Sequence, residues 1–328
     1  MTPRRVETFY AQIVANRRRS LLLMAAVFVL LGGLGFAIGY AISAEPLVGV
    51  AAVVVALLLA SVMTGVSYFA GDSLVLAASG AQQISETEQP RLFNVVHELS
   101  IAANIPPPRV YLIDDSAPNA FATGRDPRHA SIAVTTGLLE KLDREELQGV
   151  IGHELAHVRN LDIRFTLLVG VLVGSIVLLA DFFLRSLWWG GAGRGSSRRG
   201  GGGAGALVLL LVAIALAILA PIFARLIQFA VSRQREYLAD ASSVELTRNP
   251  VGLERALLKI GADREALEAA NRATQHLYFV NPIKKFERRS SALFSTHPSI
   301  LERVNRLRAL TGSVPLDVRT MTGVQGVE

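Results

Sequence analysis

Residues 143–165 read Asp-Arg-Glu-Glu-Leu-Gln-Gly-Val-Ile-Gly-His-Glu-Leu-Ala-His-Val-Arg-Asn-Leu-Asp-Ile-Arg-Phe. Asp143 and Glu146 are spaced as a capping pair at the head of a helix, and Leu147, Val150, Ile151 and Leu155 then recur at helical spacing. His153 and His157 fall four residues apart on one face of that helix, about 6 Å from each other. Both imidazoles can therefore bind one metal ion. Glu154 points aside from the pair, where it reaches a water held by the metal rather than the metal itself. This is the HExxH arrangement, in which zinc lowers the pKa of its water from about 15.7 toward 7 and the glutamate takes the proton. The chain carries its own control at His97-Glu98-Leu99-Ser100-Ile101, which begins the same way and lacks the second histidine. Half-matches are cheap, so a third ligand has to be found.

A catalytic zinc takes three protein ligands and keeps one position open. No third His follows at short spacing, and the chain has no Cys. That excludes disulfides and thiolate metal sites, and it suits a reducing compartment. A carboxylate is needed from elsewhere. Glu236, within Arg233-Gln234-Arg235-Glu236-Tyr237-Leu238-Ala239-Asp240, is the first candidate and Glu245 the reserve. Asp240 lies one turn on from Glu236 and can accept a hydrogen bond from a ligand histidine, fixing its tautomer. Taken alone, both acids would read as a solvated face among arginines.

Membrane topology supports Glu236. The chain is 51% hydrophobic and 18% charged, with mean hydropathy +0.40, where soluble domains carry about 25% charge. A helix crosses the hydrocarbon with about 20 apolar residues. Four runs qualify, at 21–42, 47–70, 165–184 and 206–224, the third holding Asp181 and the fourth Pro221. The first is too long for a signal-peptide core and reads as an uncleaved anchor. The His helix runs into span three, and span four runs into Glu236. Two antiparallel crossings return the chain to the side it left, so Glu236 emerges beside the histidines.

The expected fold is a mainly α integral membrane protein with four transmembrane helices and a zincin-like metalloprotease domain containing a small β-sheet or hairpin. Residues 1–20 form a basic N-terminus and 21–70 two spans. Residues 71–164 hold the first part of the catalytic domain, 165–224 spans three and four, and 225–328 the second part. Arg4, Arg5 and Arg17-Arg18-Arg19 precede span one, and the short loop after it has no Lys or Arg. By the positive-inside rule the N-terminus and the catalytic domain are cytoplasmic. The linker 185–205 carries four arginines on the side expected to be external, against that rule. A shallow hairpin of spans three and four is the alternative. The linker's glycines lack GxGxxG spacing and read as flexible chain. The net charge of +6 sits beside apolar runs with no nucleic-acid motif, so the bilayer, not nucleic acid, is the expected partner.

Upstream of the His helix, 119–123 and 131–135 flank a turn at Arg125-Asp126-Pro127-Arg128 and read as a hairpin. Adding an extended peptide to a sheet edge is one way to hold a substrate, which makes Asn119, Ala120, Phe121, Ala122 and Thr123 candidate substrate-binding residues. A purely structural hairpin fits the spacing equally well. His297 is the best unused candidate for stabilising an oxyanion. His97, His129 and His276 have no partner spacing and receive no role. Leu253, Leu257 and Ile260, then Ile300, Val304 and Leu307, mark amphipathic helices closing the domain.

With these residues in hand, the chain resembles the HtpX-like membrane metalloproteases, relatives of the CaaX prenyl endopeptidases. The resemblance rests on Asn119-Ala120-Phe121-Ala122-Thr123-Gly124, on the segment from Gly152 to His157 continuing to Asn160 and Asp162, on the block from Ser232 to Asp240, and on Ser295-Thr296-His297-Pro298-Ser299. It implies one zinc ion held by His153, His157 and Glu236, with Glu154 as general base. It also favours the substrate-edge reading of the hairpin. It implies cleavage of misfolded or damaged membrane polypeptides, as quality control in the cell's inner membrane. The rivals are an inactive zincin-fold scaffold or binding module, disfavoured because Glu154 is present, and a small transporter, disfavoured by the scarcity of charge within the spans.

Overall fold

The computed structural model describes residues 9–43, 45–191, 204–263, 265 and 298–317. Its helices are α1 (Phe9–Ser43), α2 (Pro46–Ala78), α3 (Pro90–Ala103), α4 (Thr136–Lys141), α5 (Arg144–Arg159), α6 (Asp162–Gly191), α7 (Ala204–Thr247), α8 (Pro250–Ala262) and α9 (Ile300–Leu310). Its strands are β1 (Gln82–Gln83), β2 (Arg109–Ile113), β3 (Ala120–Gly124) and β4 (Ala130–Thr135). The chain divides into two units.

One unit comprises Arg17–Tyr68 and Leu167–Gln228. Of the described helices one, Pro46–Ala78, is long and apolar enough to cross a membrane, and shorter apolar stretches occupy Ala25–Tyr40 and Leu211–Ala224. Only 17% of the most apolar window in Pro46–Ala78 is buried, which is not how the core helix of a water-soluble domain behaves. Leu47, Leu58, Leu59 and Val62 face outward, an apolar surface suited to lipid.

The other unit contains Phe69–Thr166 and Phe229–Glu328. Its sheet has the order β1-β2-β4-β3, with β2 and β4 parallel and the other two pairings antiparallel. β3 is thus an edge strand. Both β3 and β4 are buried along their whole length because each face is covered. Ala120, Ala122, Ile132 and Val134 pack into the core with Leu147, Val150 and Ile151 of α5, whereas Phe121 and Ala133 meet Leu76 of α2. At the turn Asp126 accepts from the amides of Arg128 and His129, and Pro127 begins a short 3-10 helix. Gly124 has φ +132° there, and an added Cβ would stand 2.3 Å from the His129 carbonyl oxygen.

Helix α5 lies at the centre of this unit, with α3, α8 and β3 around it. The approach of α8 is close. A Cβ at Gly149 would stand 2.7 Å from the backbone of Leu253. Ser243 Oγ of α7 donates to the Gly149 carbonyl at 2.7 Å from another side. A helix surrounded in this way buries even its polar residues, and that is what builds the site.

Candidate metal centre

The expected capping box at the head of α5 is formed. The Glu146 amide donates to Asp143 Oδ1 at 2.9 Å, and the Asp143 amide donates to Glu146 Oε2 at 2.9 Å. The helix so fixed presents His153, 1% exposed, and His157, part-buried, with ring centroids 4.7 Å apart. Their Nε2 atoms face each other at 3.1 Å. Glu236 on α7 faces both rings. Its Oε2 stands 3.5 Å from His153 Nε2 and its Oε1 3.5 Å from His157 Nε2.

These separations test whether a zinc ion fits. Bonds of about 2.0–2.1 Å in a tetrahedron put the donor atoms about 3.3 Å apart. The Nε2–Nε2 separation of 3.1 Å and the two N···O separations of 3.5 Å, one to each oxygen of Glu236, lie close to that. His153, His157 and Glu236 could together hold one metal ion. Two imidazoles and a carboxylate suit zinc and accept other divalent ions.

Behind each imidazole stands a carboxylate. His153 Nδ1 donates to Asp240 Oδ1 at 2.9 Å, and His157 Nδ1 donates to Asp162 Oδ2 at 3.1 Å. An ionised carboxylate only accepts, so each Nδ1 carries a proton, and in the neutral imidazole this leaves the Nε2 lone pair turned toward the centre. A buried guanidinium backs each carboxylate in turn, Arg303 for Asp240 and Arg235 for Asp162. Burial works to raise the Asp240 carboxyl, but Arg303 and His153 override it and hold it below the usual carboxylate range. Burial also works to lower the His157 imidazole. Hydrogen bonds to Asp162 and Glu236 reverse this and push its pKa up to about 10. A pocket that draws positive charge this strongly is electrostatically set for a cation.

Asp162 reaches His157 through an irregularity. In an unbroken helix a residue five positions on lies about 140° around the axis from its starting point. Leu161 instead takes the left-handed conformation, φ 60°, between α5 and α6, a conformation costing roughly 1–2 kcal/mol outside glycine. The break swings Asp162 back onto His157.

Glu154 is 2% exposed. Burial raises its carboxyl above the usual range and Glu236 adds to this, while the two histidines and a hydrogen bond from the Ala122 amide pull it down. The edge strand β3 is therefore in direct contact with the acid next to the metal ligands. Ala120, Phe121, Ala122 and Thr123 all lie on this strand, and Asn119 just before it closes the hairpin, its amide donating to Thr135 Oγ1 at 2.9 Å.

The structure thus brings His153, Glu154, His157, Glu236 and Asp240 into one cluster, with Ala122 at its rim. Glu245, the reserve ligand, is outside it and pairs with Arg159 at 2.9 Å. His297 lies outside the described residues. Sequence reasoning assigned no contact to Asp162 and missed Arg235 and Arg303. One signal for Arg303 was available, since it falls on the apolar stripe formed by Ile300, Val304 and Leu307, where a charge needs a partner.

The Peptidase family M48 profile matches residues 86–311, which include every residue of this cluster, and the chain belongs to that family. A protease HtpX homologue of Streptococcus gordonii is 44% identical over 301 residues, 92% of this chain and 99% of that one. One from Dictyoglomus thermophilum is 42% identical over 303 residues, 92% of this chain and 95% of that one. A crystal structure of S. mikatae Ste24p aligns with TM-score 0.49 at 17% identity, covering 90% of this chain and 66% of that one. The protein is a membrane metalloprotease.

Proposed function

We propose that this protein is a zinc-dependent endopeptidase in which His153, His157 and Glu236 hold one zinc ion and Glu154 is the general base. The observation that carries the reading is the convergence of the two Nε2 atoms, 3.1 Å apart, on the Glu236 carboxylate, one of whose oxygens stands 3.5 Å from each. When bound, zinc supplies Lewis acidity, acidifying water and polarising the scissile carbonyl. The residues of the chain do the rest. Asp240 and Asp162 hold the two imidazoles in the lone-pair-inward tautomer. Glu154, desolvated and with its pKa raised, accepts a proton from the attacking water and returns it to the leaving amine. The edge of β3 holds the substrate in extended form by backbone hydrogen bonds. His297 is the proposed donor to the oxyanion of the scissile carbonyl, and near-normal turnover of His297→Ala removes that role.

The four apolar runs are proposed as full spans, with the catalytic unit cytoplasmic and the protein in the cell's inner membrane. One clearly spanning helix and two shorter apolar stretches support this. The substrates are proposed to be misfolded or damaged membrane proteins. The test is the full chain purified in detergent with chelator, then given zinc and casein alongside Glu154→Gln. Zinc-dependent cleavage that falls by a factor of about 10²–10⁴ in Glu154→Gln, with zinc content unchanged, is the expected result. Cleavage indifferent to zinc or to Glu154 sinks the reading.

A further inference from the structure

We propose that Arg303 is a positioning residue for the metal centre, acting through Asp240, so that metal retention is tied to the docking of the C-terminal helix α9. This deepens the reading above and rests on it. Arg303 is 1% exposed and is the largest fully buried side chain among the described residues. Its Nε and Nη2 take the two oxygens of Asp240 at 2.9 and 2.7 Å, and its Nη1 stands 3.5 Å from Glu236 Oε2. Nη2 also lies 3.4 Å from His153 Nδ1. A guanidinium has only donors, so ring and guanidinium share the Asp240 carboxylate rather than bond each other.

Burying such a pair does not account for itself. Replacing a buried ion pair by apolar side chains of similar volume is often neutral or stabilising. Charge gives the better reason. Glu154, Asp162, Glu236 and Asp240 are buried together against Arg235 and Arg303. With neutral imidazoles this leaves two negative charges in excess, the amount that one divalent cation neutralises. Removing Arg303 has two opposed effects on a bound cation. It deletes a nearby positive charge, which favours the metal. It also leaves Asp240 with an uncompensated buried charge and held by His153 alone, so His153 loses the fixed partner that aims its Nε2. The second effect dominates because Arg303 engages both Asp240 oxygens and only the edge of Glu236.

The second relay shows what is particular to the first. Arg235 reaches Asp162 Oδ1 at 3.3 Å and its carbonyl at 3.2 Å, and its guanidinium lies 3.5 Å over the Phe165 ring. All its parts come from α5, α6 and α7. The Asp240 relay alone recruits α9, which otherwise rests through Val304 and Leu307 in the core shared with α8 and through Arg306 over Tyr237 at 3.4 Å.

The experiment measures zinc affinity of the detergent-purified full chain, by competition with a chromogenic chelator, for Arg303→Met, Arg303→Lys, Asp240→Asn and the double variant Arg303→Met/Asp240→Asn. Arg303→Met is expected to weaken zinc binding about 10- to 100-fold, with Arg303→Lys recovering part. In the Asp240→Asn background the same change should add less than about threefold, because the residue acts through the missing carboxylate. Hydrogen exchange should show zinc protecting residues 300–310 in the parent chain and not in Arg303→Met. Parent-like affinity in Arg303→Met, or an equal loss in both backgrounds, overturns the proposal. If Arg303→Met does not fold, the double variant against Asp240→Asn decides, since neither leaves an unpaired carboxylate at position 240, and a loss of more than about threefold between them overturns the proposal. A parent chain whose zinc affinity ignores Glu236→Gln overturns the metal site itself, a failure distinct from that of Arg303.

Discussion

The tripeptide His-Glu-Leu occurs on two helices of the same unit that pack against each other, at 97–99 on α3 and at 153–155 on α5. On α3 only the leucine faces the core. His97 and Glu98 are exposed, and Glu98 binds Arg144 at 2.5 Å and Gln148 at 3.2 Å on the outer surface of α5. On α5 all three residues are buried. The letters are the same, and what differs is the number of elements converging on them. α3 has the core on one side and water on the other, whereas α5 is enclosed and receives Asp162, Glu236, Asp240 and Arg303 from three further helices. A metal centre is a property of that convergence, because an imidazole in water has no fixed tautomer, no fixed direction and no excess charge around it.

The largest expected effect separates the two histidines directly. His157→Ala removes one of three donors and should lose tight zinc binding and at least about 10³-fold in turnover. His97→Ala should stay within twofold on both measures. Metal content by atomic absorption and casein turnover, read on the same preparations, check this. Equal losses for the two variants would remove the contrast.

The next effect bears on the contact of α5 with the sheet edge. Proline at Ala122 deletes the amide that donates to Glu154 and interrupts the edge of β3, where proline is otherwise tolerated for the ladder itself. Turnover should fall about tenfold or more while zinc content stays normal. Unchanged turnover would mean that β3 is a structural hairpin and nothing else.

Much of this arrangement is legible in the chain, and the limits have physical causes. The α5 cap, the paired histidines and the hairpin are local, with partners a few residues apart. Glu236 is remote from the histidines, yet the two apolar runs between them point to it, because a pair of crossings, as the sequence predicts, would return the chain to the side it left. Arg303 has no such intermediary. It lies 150 residues from His153, and only its place on an apolar stripe betrays it. Asp162 sits close by, but its contact depends on Leu161 adopting a left-handed conformation that no glycine or asparagine at that position announces. β2 went unread because its parallel pairing with β4 leaves no turn between the strands to mark it.

A smaller effect measures how tightly α5 is enclosed. At Gly149 an added Cβ meets the backbone of Leu253, which cannot swing aside as a side chain tip would. Gly149→Ala should therefore destabilise the unit by about 1–3 kcal/mol, read by thermal unfolding in detergent, although alanine is the better helix former. On α3, Ile101→Ala at a position 81% exposed should change stability by no more than about 0.5 kcal/mol. Equal tolerance at both positions would mean that α5 is less confined than its neighbours suggest.

The smallest expected effect is the sharpest test of the comparison. Ile101→His turns residues 97–101 of α3 into His-Glu-Leu-Ser-His, a full match to the motif on a helix of the same fold. Position 101 is open to solvent, so the new imidazole is accommodated, and the pair has the spacing to meet one ion. Among the described residues no carboxylate is bonded behind His97 and none forms a third ligand with it. Introduced into the Glu154→Gln background, the substitution should restore no proteolysis and should leave tightly held zinc at one ion per chain, any extra ion leaving on dilution or with a mild chelator. Restored cleavage would show that five residues on a helix suffice and that the buried carboxylates and guanidiniums around α5 are incidental to catalysis. The geometry argues the reverse: spacing can bring two imidazoles to an ion, but their aim and the charge that retains it come from side chains far away in sequence.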